Sequence, residues 1–208
     1  KTHWATIDLI PSTPDLIDAE VDMINQLIET RMEQERTGRR GVQAPFWTAL
    51  RTALRGLKTS QYDVVLIDTP PSMSLASVAV TLASHGLLVP VPARNLDIES
   101  LRAFLRTNNN WLKVLAKHVR LDLRWVRFLT TMRKKDSKAE HLNEYTMRKA
   151  FPDEYLAEHV KRSEALQRSS GGAPSPYEEQ PPKPVNHAPS AAACRRDLVR
   201  VYNEVYDL

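Results

Sequence analysis

The hydrophobic pattern of this chain changes period from segment to segment. Val64-Val65-Leu66-Ile67 is an unbroken apolar run that meets Asp68 and is then stopped by Pro70 and Pro71, which cannot extend a ladder. The pattern predicts a buried strand within Tyr62–Ser72, with a carboxylate at its carboxyl end. A second apolar run, Gly86–Pro92, predicts another strand, apolar throughout as in a sheet covered on both faces. Met73–Ser84 between them has helical spacing. Upstream, Thr6–Ile10 reads as a short strand ended by Pro11. Ser12-Thr13-Pro14-Asp15 then offers a cap, and Leu16, Ile17, Val21, Ile24, Leu27 and Ile28 repeat at helical spacing. Thr30–Gly41 loses that period, gains charge and reads as a solvated helix end and loop. A further helix from Pro45 places Phe46, Trp47, Leu50, Leu54 and Leu57 on one face and leaves Arg51, Arg55 and Lys58 outside.

Beyond the second run, Leu96–Lys117 carries Leu101, Phe104, Leu105, Leu112 and Leu115 as a buried helical face, with Asn108–Asn110 marking a bend. Leu121–Thr131 alternates enough to be a strand, and its Arg124 and Arg127 put one side near a sheet edge. A helix over Ser137–Ala150 follows, then a short helix near Lys161, Arg162 and Arg168. Ser169–Ser190 is rich in Gly, Pro and Ser and predicts a long surface loop. Ala191–Tyr206 restores helical spacing through Leu198, Val201, Tyr202 and Val205, with Cys194 read as a small buried residue. Helices alternating with apolar strands predict an α/β fold with parallel crossovers.

Composition narrows the class. The chain has 208 residues, 42% hydrophobic and 26% charged, enough for one domain with a sizeable core. A single cysteine rules out an internal disulfide framework. No apolar run approaches the roughly 20 residues of a membrane span, so a cytoplasmic protein is expected. A net charge of +4 is only mildly basic. Position therefore has to decide whether it means nucleic acid. The six histidines are scattered singly, and no Cys/His spacing suits a metal.

Chemistry gathers at Asp68. In open α/β sheets ligands collect outside the carboxyl ends of the strands, so Asp68 would stand at a crevice with water and Mg²⁺ within reach, in the form of a Walker B strand. Its alternative role is to start a turn and cap the helix near Met73. The succession IDTPPSMSLASVAVTLASHGLLVPVPARNLDIESLRAFL resembles the ParA family of deviant-Walker partition ATPases, particularly those of large plasmids. IDLIPSTPDLIDAE upstream is similar to the segment preceding Walker B in that family. Downstream, FLTTMRKKDS, MRKAFPDEYLAEHVKRSEAL, SPYE and CRRDLVRVYNEV fall where the plasmid proteins carry similar runs. The resemblance spans nearly the whole chain and is most specific over residues 62–105.

It implies a three-layer P-loop NTPase fold with a mostly parallel sheet. It also implies ATP and Mg²⁺ as cofactors, with Asp68 as metal-holding and catalytic carboxylate, Thr69 and Pro70 beside it, and Thr130, Thr131 and Met132 near the base. The family works as an ATP-bound homodimer on non-specific DNA, switched off by hydrolysis that a ParB-type centromere-binding partner stimulates. This implies a nucleoid-associated protein with no membrane partner. Arg133, Lys134, Lys135, Arg148, Lys149, Lys161 and Arg162 form the basic clusters that would meet DNA by phosphate neutralisation.

One departure is large. Neither GxxxxGK[ST] nor the family's KGGxGKT variant occurs in the sequence, although a P-loop ATPase needs such a loop to cradle phosphates. Lys1-Thr2 is followed by a strand-and-turn pattern where a phosphate-binding helix should begin. The expectation is therefore either the carboxyl-terminal two-thirds of a longer ATPase, inactive alone, or a non-catalytic adaptor that keeps the fold. A MinD-like membrane-surface ATPase is a further alternative, but Ala191–Leu208 has few bulky apolar anchors for a membrane helix.

Overall fold

In a computed structural model, residues 7–11, 15–38, 46–57, 62–69, 74–115, 121–163, 166 and 188–207 are described. The chain divides into two compact units, residues 1–84 and 85–208.

The first unit contains three helices: α1 (Leu16–Thr37), α2 (Phe46–Gly56) and α3 (Leu75–Ala83). α3 is the apolar one, burying Val78, Ala79 and Leu82, and its ends are held by polar groups from the other two. At its start Ser74 Oγ accepts from the Ser77 N–H at 3.2 Å, and Glu20 of α1 accepts from the Ala76 N–H at 3.2 Å. An acceptor there satisfies donors that lack helical partners and opposes the positive end of the dipole. At its end Arg51 of α2 donates from Nε and Nη2 to the Leu82 carbonyl, the former at 2.8 Å. Arg51 is therefore part-buried between two helices, whereas its place in the helical pattern puts it outside.

Two further expectations change here. α1 runs to Thr37 instead of fading at Thr30, because Arg31 pairs with Glu35 at 2.8 Å and Arg36 with Glu33 at 2.7 Å, the spacing that supports exposed helix. It ends at Gly38, whose φ of 66° is the left-handed turn that favours glycine. Residues 7–11 and 62–69 are not strands. Val64, Val65 and Leu66 are exposed, Leu66 to 90%. Nothing among the described residues ladders with them, so no sheet partner there takes up their backbone groups. The two segments are joined by Tyr62, whose hydroxyl donates to the Asp8 carboxylate at 2.7 Å.

The second unit is a parallel sheet in the order β1-β2-β3, formed by β1 (Gly86–Pro92), β2 (Trp125–Arg133) and β3 (Tyr155–Lys161). Its crossovers are α4 (Asn95–Leu115) and α5 (Lys138–Ala150), and α6 (Ala188–Tyr206) closes the chain. Consecutive residues of β2 point to opposite faces, and this divides the core. Phe128 packs with Val91, Ile98, Leu101, Met147 and Tyr155 on the side of α4 and α5. Leu129 packs with Leu156, Val160 and Val201 on the side of α6, joined there by Leu198 and Val205. The result is three layers.

β2 begins at Trp125, not Leu121, because its partner begins at Gly86 and the register pairs the two. It is the middle strand of the described sheet, so the edge position suggested by Arg124 and Arg127 is not found. β3 replaces the expected start of a short helix near Lys161. β1 is covered less fully than its composition suggests, since Leu88 is 42% exposed. α4 continues through Asn108–Asn110 without a break. Phe104 is 38% exposed, while Leu101 is buried as expected. The side chains of Leu112 and Leu115 lie outside the described residues, as do the backbone of 167–187, Arg168, and the proposed cap at 12–14. α6 starts three residues before Ala191, its Cys194 is buried, and Tyr202 is exposed rather than packed on the sheet.

A close contact fixes the first β1–β2 pair. A Cβ placed on Gly86 would lie 2.1 Å from the Trp125 ring. Gly86→Ala should therefore destabilise the chain by about 1–3 kcal/mol through overpacking, and Gly86→Ala combined with Trp125→Ala should cost less than the sum of the two single changes. Urea unfolding of the four proteins checks both.

Candidate functional site

The residues singled out for nucleotide chemistry fall in both units. Asp68 and Thr69 belong to the first and are exposed, at the end of the extended segment. Pro70 lies outside the described residues. Thr130, Thr131 and Met132 belong to the second, at the carboxyl end of β2, where ligands of parallel sheets collect. Of these, Thr130 has 0% exposure, and its hydroxyl shares a hydrogen bond of 3.0 Å with the Tyr155 hydroxyl. It supports the strand instead of presenting itself to a ligand. Met132 is 65% exposed and has a φ of 54°, a left-handed conformation that costs a side-chain-bearing residue about 1–2 kcal/mol.

Backbone register explains Met132. Between the pairs Phe128↔Tyr155 and Thr130↔His159, two steps on β2 match four on β3; between Thr130↔His159 and Arg133↔Lys161, three match two. The second shift is a bulge on β2, and left-handed residues accommodate such bulges. The first leaves β3 with surplus residues whose polar groups need partners. Glu204 of α6 accepts from the Ala157 N–H at 2.6 Å and the Glu158 N–H at 2.9 Å. Arg148 of α5 donates to the carbonyls of Leu156 and Ala157.

Arg148 also meets the Glu144 carboxylate at 2.8 Å, and Arg133 holds the other oxygen at 2.8 Å. The Glu144 side chain is 6% exposed, and those of Arg133 and Arg148 are 16% and 29%. Burial pushes the Glu144 pKa up, but hydrogen bonds from Arg148 and Arg133 outweigh it and leave the group below its usual range. Arg148 further stacks over the Tyr155 ring, 5.2 Å from its centroid. Arg133 and Arg148 thus serve the packing of β2, α5 and β3. They are not available as the DNA contacts that their clustering suggests.

The remaining basic residues divide differently. Lys134, Lys135, Lys149 and Arg162 are exposed. Lys149 lies over the Tyr145 ring, 4.7 Å from its centroid, and Lys161 stands 3.8 Å from Asp197. The backbone of Lys134 is fixed by Glu140, whose carboxylate accepts its N–H at 2.7 Å, while Ser137 caps α5 through the Glu140 N–H. Three exposed arginines on α6, Arg195, Arg196 and Arg200, are absent from the sequence-derived set. Their signal was present in CRRDLVR: the arginines fall off the buried stripe of Cys194, Leu198 and Val201.

Among the described residues, no three of His, Cys, Asp and Glu converge on a metal position. An exposed carboxylate such as Asp68 suits a Mg²⁺ ion held mostly by water and phosphate oxygens, but the sequence contains no glycine-rich loop to hold those phosphates. A groove of about 270 Å³ lined by Ile98, Glu99, Arg102, Asn143, Thr146 and Met147 lies between α4 and α5 and includes none of the residues above. No helix among the described residues is long and apolar enough to cross a membrane.

Comparison with known proteins gives the class. The family profile described as AAA domain matches residues 1–121. The Chromosome partitioning protein ParA of Myxococcus xanthus (strain DK1622) is 29% identical over 131 residues, 63% of this chain and 38% of the relative. The Chromosome-partitioning ATPase Soj of Thermus thermophilus is 35% identical over 99 residues, 48% of this chain and 30% of the relative. The Sporulation initiation inhibitor protein Soj of Bacillus subtilis is 29% identical over 131 residues, 63% of this chain and 43% of the relative. A solved structure titled Partition Protein aligns over 73% of this chain and 40% of that chain, with 16% identity and a TM-score of 0.49. The matched region takes in less than half of each of these proteins. The chain belongs to the AAA domain family and, along the matched region, is similar to the ParA and Soj proteins.

Glu144→Gln should destabilise the chain by about 3–5 kcal/mol, the usual cost of stranding buried partner charges. The folded pKa of Glu144 is depressed, so its contribution is complete above the unfolded value of 4.5 and is lost as pH falls through the folded value. Glu144→Gln should therefore show a flatter acid limb than wild type in stability measured by urea unfolding across that range.

Proposed function

We propose that this chain is the carboxyl-terminal two-thirds of a ParA-type partition ATPase domain and supplies part of its nucleotide site and its DNA-facing surface. The support that carries most weight is the family match over residues 1–121, which takes in Asp68 and the whole YDVVLIDTPPS stretch. In the complete protein Asp68 would be the carboxylate that holds Mg²⁺. Bound Mg²⁺ supplies charge neutralisation at the phosphates of ATP. By the family resemblance Thr69 and Pro70, which follow Asp68 directly in the chain, would act with it in the nucleotide site of the complete protein.

The ATP-bound form is a homodimer at the nucleoid, bound to DNA without sequence preference and released on hydrolysis stimulated by a ParB-type partner. The DNA surface is carried by Lys134, Lys135, Lys149 and Arg162, with Lys161 at its margin and Arg195, Arg196 and Arg200 extending it. Their exposure supports this reading, since phosphate neutralisation needs cations that are not already engaged. The non-catalytic adaptor is the second reading.

Purified residues 1–208 should not hydrolyse ATP; turnover that Asp68→Ala abolishes would overturn the assignment of a partial site. In gel shifts on random DNA, neutralising Lys134, Lys135 and Lys149 together should weaken binding and reduce the salt slope by roughly one for each phosphate no longer neutralised. Arg148→Gln should act first on stability. If neutralisation leaves both affinity and slope unchanged, the DNA surface lies elsewhere and the adaptor reading gains.

A further inference from the structure

Among the described residues, Arg133 Nε and His159 Nε2 are buried side-chain nitrogens with no hydrogen-bond partner. They gather where β2 and β3 end. His159 stands at the position where the β2–β3 ladder resumes after its first register shift, opposite Thr130. The charged groups around it come from each element packed there: Arg133 of β2, Glu144 of α5, Lys161 of its own strand and Asp197 of α6.

Neither carboxylate is hydrogen-bonded to His159 Nε2 in this arrangement. Arg133 and Arg148 occupy the two oxygens of Glu144, and Asp197 lies 3.8 Å from the Lys161 ammonium. A neutral imidazole can carry its hydrogen on Nδ1 and leave Nε2 a bare lone pair, whereas an imidazolium carries hydrogens on both nitrogens. Protonation would therefore put a buried N–H without an acceptor, and a positive charge, among Arg133 and Lys161. Accommodating it requires a rearrangement that brings a carboxylate to the new N–H or moves the strand end.

We propose that His159 is a proton-operated latch: while neutral it lets the carboxyl end of β3 lie against β2 under α6, and when protonated it releases that strand end and α6 from the sheet. Burial, then repulsion from Arg133, holds the imidazole pKa below its ordinary 6.5, with Lys161 acting in the same direction and Glu144 and Asp197 opposing. A depressed folded pKa means that the stability is complete above the ordinary value and is lost as pH falls below it. The latch does not depend on nucleotide or DNA.

Hydrogen exchange of the full 208-residue chain, read by mass spectrometry at about pH 7.5 and about pH 5.5 and scaled to intrinsic rates, tests this on either side of the ordinary imidazole range. At the lower pH, amides of 156–163 and 192–206 should exchange up to about tenfold faster, the most that one imidazole can supply one pH unit below its ordinary value, while those of β1 and α4 keep their protection. His159→Gln, which cannot take up the proton, should remove the difference. Equal protection at both pH values in the wild type, or acid acceleration that survives in His159→Gln, would overturn the latch. Should the variant not fold, NMR titration of the assigned His159 ring in the wild type decides. A midpoint below the ordinary 6.5, with protection lost between 6.5 and that midpoint, supports the proposal, and a midpoint at or above 6.5 overturns it.

Discussion

The second unit depends on one buried carboxylate. Glu144 is nearly sealed from water, and an ionised group in such a place costs several kcal/mol unless it is paired and its lone pairs are filled. Arg133 arrives from the last position of β2 and Arg148 from the last turn of α5, one to each oxygen. Arg148 then passes on to the carbonyls of Leu156 and Ala157. A middle strand, its crossover helix and the next strand are thereby tied through a single side chain. The same pairing removes Arg133 and Arg148 from the surface charge available to a polyanion.

Around that centre the layers are conventional and the third strand is not. Phe128 and Leu129 send the core to both faces of β2, which is what a sheet between two helical layers requires. β3 takes surplus residues into its ladder, and their backbone groups are satisfied from both sides, by Glu204 of α6 and by Arg148 of α5. α6 is thus held to the sheet by an apolar stripe and by a carboxylate aimed at the irregularity. His159 and Met132 occupy the two register shifts.

In the first unit the helices are ordered by their ends. Glu20 and Arg51 meet the opposite poles of α3, so the shortest and most apolar of the three helices is the one with both termini capped by its neighbours. Among the described residues no strand pairs with the extended segment leading to Asp68, a segment that Tyr62 ties to Asp8. Its exposed Val64, Val65 and Leu66 are side chains of a strand that has not been given a sheet, and the carboxylate that the family match makes most interesting stands at the end of it.

Local periodicity determined most of the helices and the apolar strand β1, because side-chain burial on one element follows from spacing alone. The buried Cys194 on α6 was legible for the same reason, and family membership was legible from the run through Asp68. What the sequence could not decide was anything set by a partner in space. β3, YLAEHVK, has too little apolar character to declare itself, and becomes a strand because β2 offers it an edge. Arg51, Arg133 and Arg148 looked like surface charge, since nothing near them in sequence marks the carbonyls and the carboxylate they reach. Val64–Ile67 reads as a strand by composition, yet a strand exists only when neighbours take up its backbone groups, and those neighbours are supplied by tertiary structure.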